Sequence, residues 1–122
     1  MKSKLIFVLR PVNATEIGIF ATEDIPAGTY LPLFVRDDYR LMRTRTLERL
    51  PGGGQLALYC VKDSSGYHAP SNFNRMSIGW YIRHSDQPSC EHRNYTFFAA
   101  RDIRAWEEIT IDFEALGDER YS

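Results

Sequence analysis

Six short runs rich in β-branched and aromatic residues, each followed within a few positions by turn-forming residues, constrain this chain to a mostly β fold. The runs cover residues 5–9, 17–21, 30–35, 56–61, 95–100 and 109–113. Val, Ile, Phe and Tyr suit a pleated, half-buried surface. The separators Pro26-Ala27-Gly28, Pro51-Gly52-Gly53-Gly54 and Ser64-Ser65-Gly66 carry the chemistry of reversals. Helical spacing of apolar residues predicts helix only over 40–50, where Leu41, Met42, Leu47 and Leu50 fall, and over 73–81.

The 122 residues, with 43% hydrophobic and 13% aromatic content, suit one domain that buries a core without disulfides or a structural metal. Fifteen basic and 16 acidic residues give a net charge of −1, so no global basic field argues for nucleic acid or an anionic membrane as partner. Cys60 and Cys90 stand in unlike contexts, and no cysteine follows Cys90. Free thiols in a reducing compartment, a soluble intracellular protein and no metal are the expectations. The apolar run after Met1-Lys2-Ser3-Lys4 is too short for a secretory segment and is closed by Arg10-Pro11, so it predicts a first strand. No stretch approaches the length of a membrane span.

Asp24-Ile25-Pro26-Ala27-Gly28 recurs as Asp102-Ile103-Arg104-Ala105-Trp106, each after an apolar run and an alanine, and both predict hairpin connections. Five residues are too few to define a repeat architecture. Four segments carry a wider likeness: Glu16-Ile17-Gly18-Ile19-Phe20-Ala21 leading into the first of those hairpins, Asn72 to Tyr81, Arg83-His84-Ser85-Asp86-Gln87-Pro88-Ser89, and Glu107-Glu108-Ile109-Thr110-Ile111-Asp112-Phe113. The third resembles the Asn-His-Ser-Cys-x-Pro-Asn motif of SET domains. The fourth resembles their Glu-Glu-hydrophobic-Thr-x-Asp-Tyr motif, and the first resembles their opening Gly-x-Gly strand. Residues 5–116 can be laid on the family, with a variable insert at about 40–72.

The resemblance implies a β-clip-like fold of several small sheets, with a C-terminal segment threaded beneath a preceding loop. It also implies S-adenosylmethionine-dependent methylation of a lysine on a protein or peptide partner, with a catalytically silent peptide- or cofactor-binding module as the alternative. That transfer is an in-line displacement, which needs collinear reacting atoms and an uncharged amine. Carried over, Glu16, Ile17, Gly18, Arg83 and His84 fall at cofactor-binding positions, Tyr59 falls at a channel tyrosine, and Phe113 falls at the catalytic tyrosine. Phenylalanine keeps the ring and loses the hydroxyl, a loss of about 2–4 kcal/mol if that group acts as a transition-state donor. Arg83, in place of the family's asparagine, offers donors and no acceptor. Glu16, in place of a glycine, can take a ligand's amino group or pair with Arg83 and fill the pocket. Trp106 replaces a turn glycine, so that turn is expected to lose its positive φ; if exposed, Trp106 marks a contact surface. Tyr121 can close the channel, or a second copy of the chain can supply its wall.

Several of these residues also have plainer readings. A lone histidine beside a strand is usually structural, and only its motif singles out His84. His68 and His92 are expected on the surface or in loops. Glu107 and Glu108, adjacent on a strand, face opposite sides and cannot act on one atom. Most tyrosines of a β domain are packing residues, with Tyr59 at even odds.

Overall fold

A computed structural model describes residues 5–122. Met1 to Lys4, which the sequence places ahead of the first strand, lie outside the described residues. In chain order the strands are β1 (Phe7–Pro11), β2 (Ile17–Ala21), β3 (Arg40–Met42), β4 (Val61–Asp63), β5 (Gly66–Ala69), β6 (Arg83–His84), β7 (Cys90–Arg93), β8 (Thr96–Ala99) and β9 (Glu108–Ile111). They form small sheets ordered β1-β2-β9-β6, β3-β5-β4 and β7-β8, in keeping with the several small sheets that the resemblance implies. Two short helices, α1 (Thr44–Glu48) and α2 (Gly53–Leu56), lie between β3 and β4. Three 3-10 turns occupy Ala57–Tyr59, Ile78–Tyr81 and Glu119–Tyr121.

The first sheet positions the site. β9 pairs antiparallel with β2, Ile19 opposite Ile109, and parallel with β6, His84 opposite Ile111. Sequence-distant segments thereby become neighbours, and Phe113 emerges beside His84. Alternation along β2 and β9 sends Ile19, Ala21, Ile109 and Ile111 into the main core, where they meet Ile25, Leu31, Leu33 and Ile103. Met42, Leu47, Cys60, Tyr67 and Ala69 form a second core under the β3-β5-β4 sheet.

Several local expectations fail for identifiable reasons. The helix expected over 40–50 is split, because Arg40–Met42 pairs with β5 and leaves only Thr44–Glu48 helical. The strand expected over 56–61 is helix and 3-10 turn up to Tyr59; Gly52, at φ 72°, reverses the chain and starts α2. Residues 30–35 form no ladder. Their amide groups are used singly, with Leu31 donating to the Phe97 carbonyl and Gly79 donating to the Leu33 carbonyl. Only Ile78–Tyr81 of the second expected helix winds, as a 3-10 turn. His68 and His92 lie on β5 and β7, both partly exposed as the surface reading allows.

The sequence echo has a physical counterpart. Ile25 and Ile103 exchange both backbone hydrogen bonds, at 2.7 and 2.8 Å. Asp102 accepts from the Ala27 amide at 2.9 Å while Asp24 accepts from the Ala105 amide at 2.8 Å. The two hairpins cap each other reciprocally, and Trp106 takes the place that Gly28 takes in its partner. Contrary to the expectation of an altered turn, Trp106 keeps the positive φ, 69° against 82° at Gly28. Its amide donates to the Ala21 carbonyl as that of Gly28 does to Ala99.

Candidate functional site

Phe113 stands two residues beyond β9, buried, and divides a small polar cavity from a large apolar one. Its amide donates to Nδ1 of His84 at 3.1 Å, and Nε2 of His84 faces Asp86 Oδ1 at 3.1 Å. Because Nδ1 accepts, the ring proton is assigned to Nε2. His84 therefore fixes the chain around Phe113 and presents no free base to it. Tyr59, Ile82 and Phe113 wall both cavities.

The polar side gathers Glu16, Ile17, Arg83 and His84 around about 60 Å³. Arg83 Nε lies 2.9 Å from Glu108 Oε2, and Nη1 lies 3.8 Å from Glu16 Oε1. The shorter contact is an ion pair by distance but is off-axis for a hydrogen bond, leaving both solvent-excluded atoms without one. Burial pushes the Glu108 carboxyl above its ordinary value, against the pull of the Arg83 charge. Gly18 packs against this pair: a Cβ there would press on the Glu108 carboxylate and on Val12, which would have to shift. Its closeness serves the chain's own glutamate. Glu16 is steadied by Asn13, whose Nδ2 donates to Oε1 at 2.9 Å.

A C-terminal latch completes this wall. Asp118, fully buried, accepts from Arg120 Nε, Arg120 Nη2 and the Arg120 and Lys62 amides. Burial pushes its carboxyl up, but those hydrogen bonds bring it below its ordinary value. Arg120 also donates to the carbonyls of Ala57 and Cys60, and Lys62 pairs with Glu119. The latch lays the Tyr121 ring 4.4 Å from that of His84 and 5.0 Å from that of Phe113, centroid to centroid.

On the other side of Phe113 opens a cavity of about 430 Å³. Trp80 and Phe97 brace Phe34, each with ring centroids 5.3 Å away, and Gly79 lacks a Cβ that would strike the Phe34 ring. Asp38 ties this wall together: it accepts from the Ser71 amide and hydroxyl at 2.9 Å and from the Ser77 amide at 2.6 Å. Burial opposes ionisation of Asp38, yet the serine hydrogen bonds hold its carboxyl below its ordinary value. Trp80 Nε1 donates to the Asp38 carbonyl. Cys60 lines the cavity with its thiol pushed up to about 12 by burial, so it is no nucleophile at neutral pH.

Of the residues singled out from sequence, Glu16, Ile17, Tyr59, Arg83, His84 and Phe113 meet around the small cavity, and Gly18 lies beside it under Glu108. Sequence reasoning missed Asp38, His68 and Trp80 as cavity residues. His68 holds Asp63 at 2.6 Å and the Tyr39 hydroxyl at 2.7 Å. The local signals for them were the place of Asp38 and His68 in or near the insert and that of Trp80 in the Asn72–Tyr81 segment.

The small cavity does not fit S-adenosylmethionine as arranged. Pockets for ligands of that size enclose roughly 300–1,000 Å³, against about 60 Å³ here, and the Arg83 guanidinium is committed to two carboxylates. Among the described residues no group of side chains is arranged to hold a metal ion, and no helix is long and apolar enough to cross a membrane. Comparison with curated proteins gave no match. The family model for the SET domain, a family generally of S-adenosylmethionine-dependent protein-lysine methyltransferases, matches residues 16–114. With these sheets, this β6–β9 pairing and that match over most of its length, the chain belongs to the SET-domain family.

Proposed function

We propose that this chain is a SET-domain module that takes a lysine side chain of a protein partner into the aromatic cavity beside Phe113, with methyl transfer slow or absent. The observation that carries this reading is the asymmetry across Phe113. The apolar side keeps about 430 Å³, whereas the polar side is reduced to about 60 Å³ by Arg83, Glu108, Glu16 and Tyr121. Phe113 supplies a wall for the side chain's methylenes and no hydroxyl for its amine. Calorimetric titration of the protein with S-adenosylmethionine and S-adenosylhomocysteine is the test. No saturable heat is expected, while lysine peptides perturb the amide signals of Tyr59, Ile82 and Phe113. Micromolar cofactor binding accompanied by turnover would overturn the reading.

A second reading, a working protein-lysine methyltransferase, is favoured by one observation. Tyr59, Ile82 and Phe113 wall both cavities, and a transfer between two sites needs such a shared partition. On that reading Phe113→Tyr raises turnover of a lysine peptide about 10²-fold or more. An unchanged, absent rate in Phe113→Tyr combined with Arg83→Asn rejects it.

A further inference from the structure

The arginines of this chain are unevenly partnered. Arg83, Arg93, Arg101 and Arg120 each reach a carboxylate, and Arg10 lies over the Phe20 and Trp106 rings. Arg36, Arg40, Arg43, Arg45 and Arg49 are all exposed, and none of them forms an ion pair among the described residues. A third of the chain's 15 basic residues therefore stands between positions 36 and 49 without a counter-charge, in a chain whose net charge is −1. Of the carboxylates in that stretch, Asp38 is taken by Ser71 and Ser77, and Glu48 accepts from the Tyr67 hydroxyl at 3.1 Å. Only Asp37 remains.

The surface is continuous. Arg45 and Arg49 stand four positions apart on one face of α1, and Leu47 between them points the opposite way into the second core. Like charges at that spacing weaken a helix, so the fold gains nothing from the pair. Arg43 precedes α1 directly, Arg40 lies on β3, and Arg36 and Arg40 bracket Asp37, Asp38 and Tyr39, which line the aromatic cavity. Guanidinium groups bind carboxylates through paired hydrogen bonds. The exposed side chains of Val35, Tyr39, Leu41 and Leu50 lie between and beside the arginines. Such aliphatic neighbours suit a polypeptide better than a phosphate backbone, and the chain lacks the overall positive field that draws nucleic acid. We propose that residues 36–49 dock a glutamate- or aspartate-rich segment of a partner protein, which brings an adjacent lysine to the cavity mouth. Only the place of that lysine rests on the reading that the cavity receives a lysine side chain.

The test is a fluorescence-anisotropy titration with four labelled probes: a peptide with one lysine between runs of glutamate, its analogue with glutamine for every glutamate, the acidic peptide with alanine for the lysine, and a short oligothymidine. The acidic lysine peptide is expected to bind about tenfold tighter than the glutamine analogue, by the sum of several exposed ion contacts. That margin should shrink as salt rises past about 0.1 M. Arg45→Glu makes an attractive pair with Arg49, which keeps the helix, and should remove most of the margin. Arg104→Glu, the same charge change on an exposed residue of the Asp102–Trp106 hairpin, should leave it. Equal binding of the acidic and glutamine peptides, or a margin that survives Arg45→Glu, overturns the docking surface. Tighter binding of oligothymidine than of the acidic peptide overturns it in favour of nucleic acid. Undiminished binding of the alanine peptide overturns the lysine reading and leaves the arginine surface standing. If no probe binds, both fall.

Discussion

Trp106 holds φ at 69° where the matching hairpin uses glycine, and the left-handed region costs an L side chain roughly 1–2 kcal/mol. The ring recovers part of this because the Arg10 guanidinium lies 5.9 Å from its centroid. Such exposed cation–π contacts contribute about 0.5–1 kcal/mol. Trp106→Gly is therefore expected to stabilise the protein by about 0.5–1 kcal/mol, seen as a higher urea midpoint. A lower midpoint would mean that the Arg10 contact outweighs the strain. Arg83 makes the opposite kind of prediction. Arg83→Asn leaves the solvent-excluded Glu108 oxygen without its ion pair, so stability should fall by about 1–2 kcal/mol. The same change vacates the polar cavity, and cofactor binding by calorimetry should appear or tighten. If stability and affinity fall together, Arg83 is itself a ligand-holding group. Motif position alone singled out Arg83 and Phe113. The tolerance of Trp106 for glycine's conformation could not be read locally, because the reciprocal Asp24 and Asp102 caps that enforce it come from 75 and more residues away.

The C-terminal 3-10 turn is the element on which the polar cavity depends, since Asp118 and Arg120 fasten it and Tyr121 covers His84. Asp118→Ala leaves Arg120 unpaired against two carbonyls and should cost about 2 kcal/mol, with faster amide exchange at residues 118–122. Unchanged exchange would show that the Lys62–Glu119 pair and the Arg120 bonds to the Ala57 and Cys60 carbonyls hold the tail without Asp118. The pH dependence has a definite sign. Asp118 has a lowered folded value, so its stabilisation is complete above its ordinary 3.8 and is lost as pH falls through the lower folded value. Glu108 runs the other way: its value is raised above 4.5, so protonation on acidification relieves a buried charge and favours the folded form. Acidification is expected to ease the Glu108 site first and release the tail only below 3.8, which amide exchange against pH would resolve. At this scale β2 was legible to the residue because Ile17, Ile19 and Phe20 suit a strand and the reversal at Pro26-Ala27-Gly28 follows it. The second sheet was not: its strands are three or four residues long, and β3 carries a helix-like apolar pattern overridden by pairing with β5.

Across the whole molecule the decisive contact is β2 against β9, since it joins Ile19 to Ile109 and closes the main core. Ile109 is 0% exposed, and Ile109→Ala should cost about 2–5 kcal/mol in urea denaturation. A loss below about 1 kcal/mol would mean that this core collapses readily around the gap. The sequence by itself determined the family, the mostly β character and the residues that meet at Phe113, because ordered motifs and alternating apolar positions are local properties of the chain. Only the tertiary structure decided that Glu16, Arg83 and Glu108 fill the polar side and that aromatic residues from five separate segments open a larger cavity on the other. Cavities and ion pairs depend on where distant side chains end, and no local spacing in the chain records that distance.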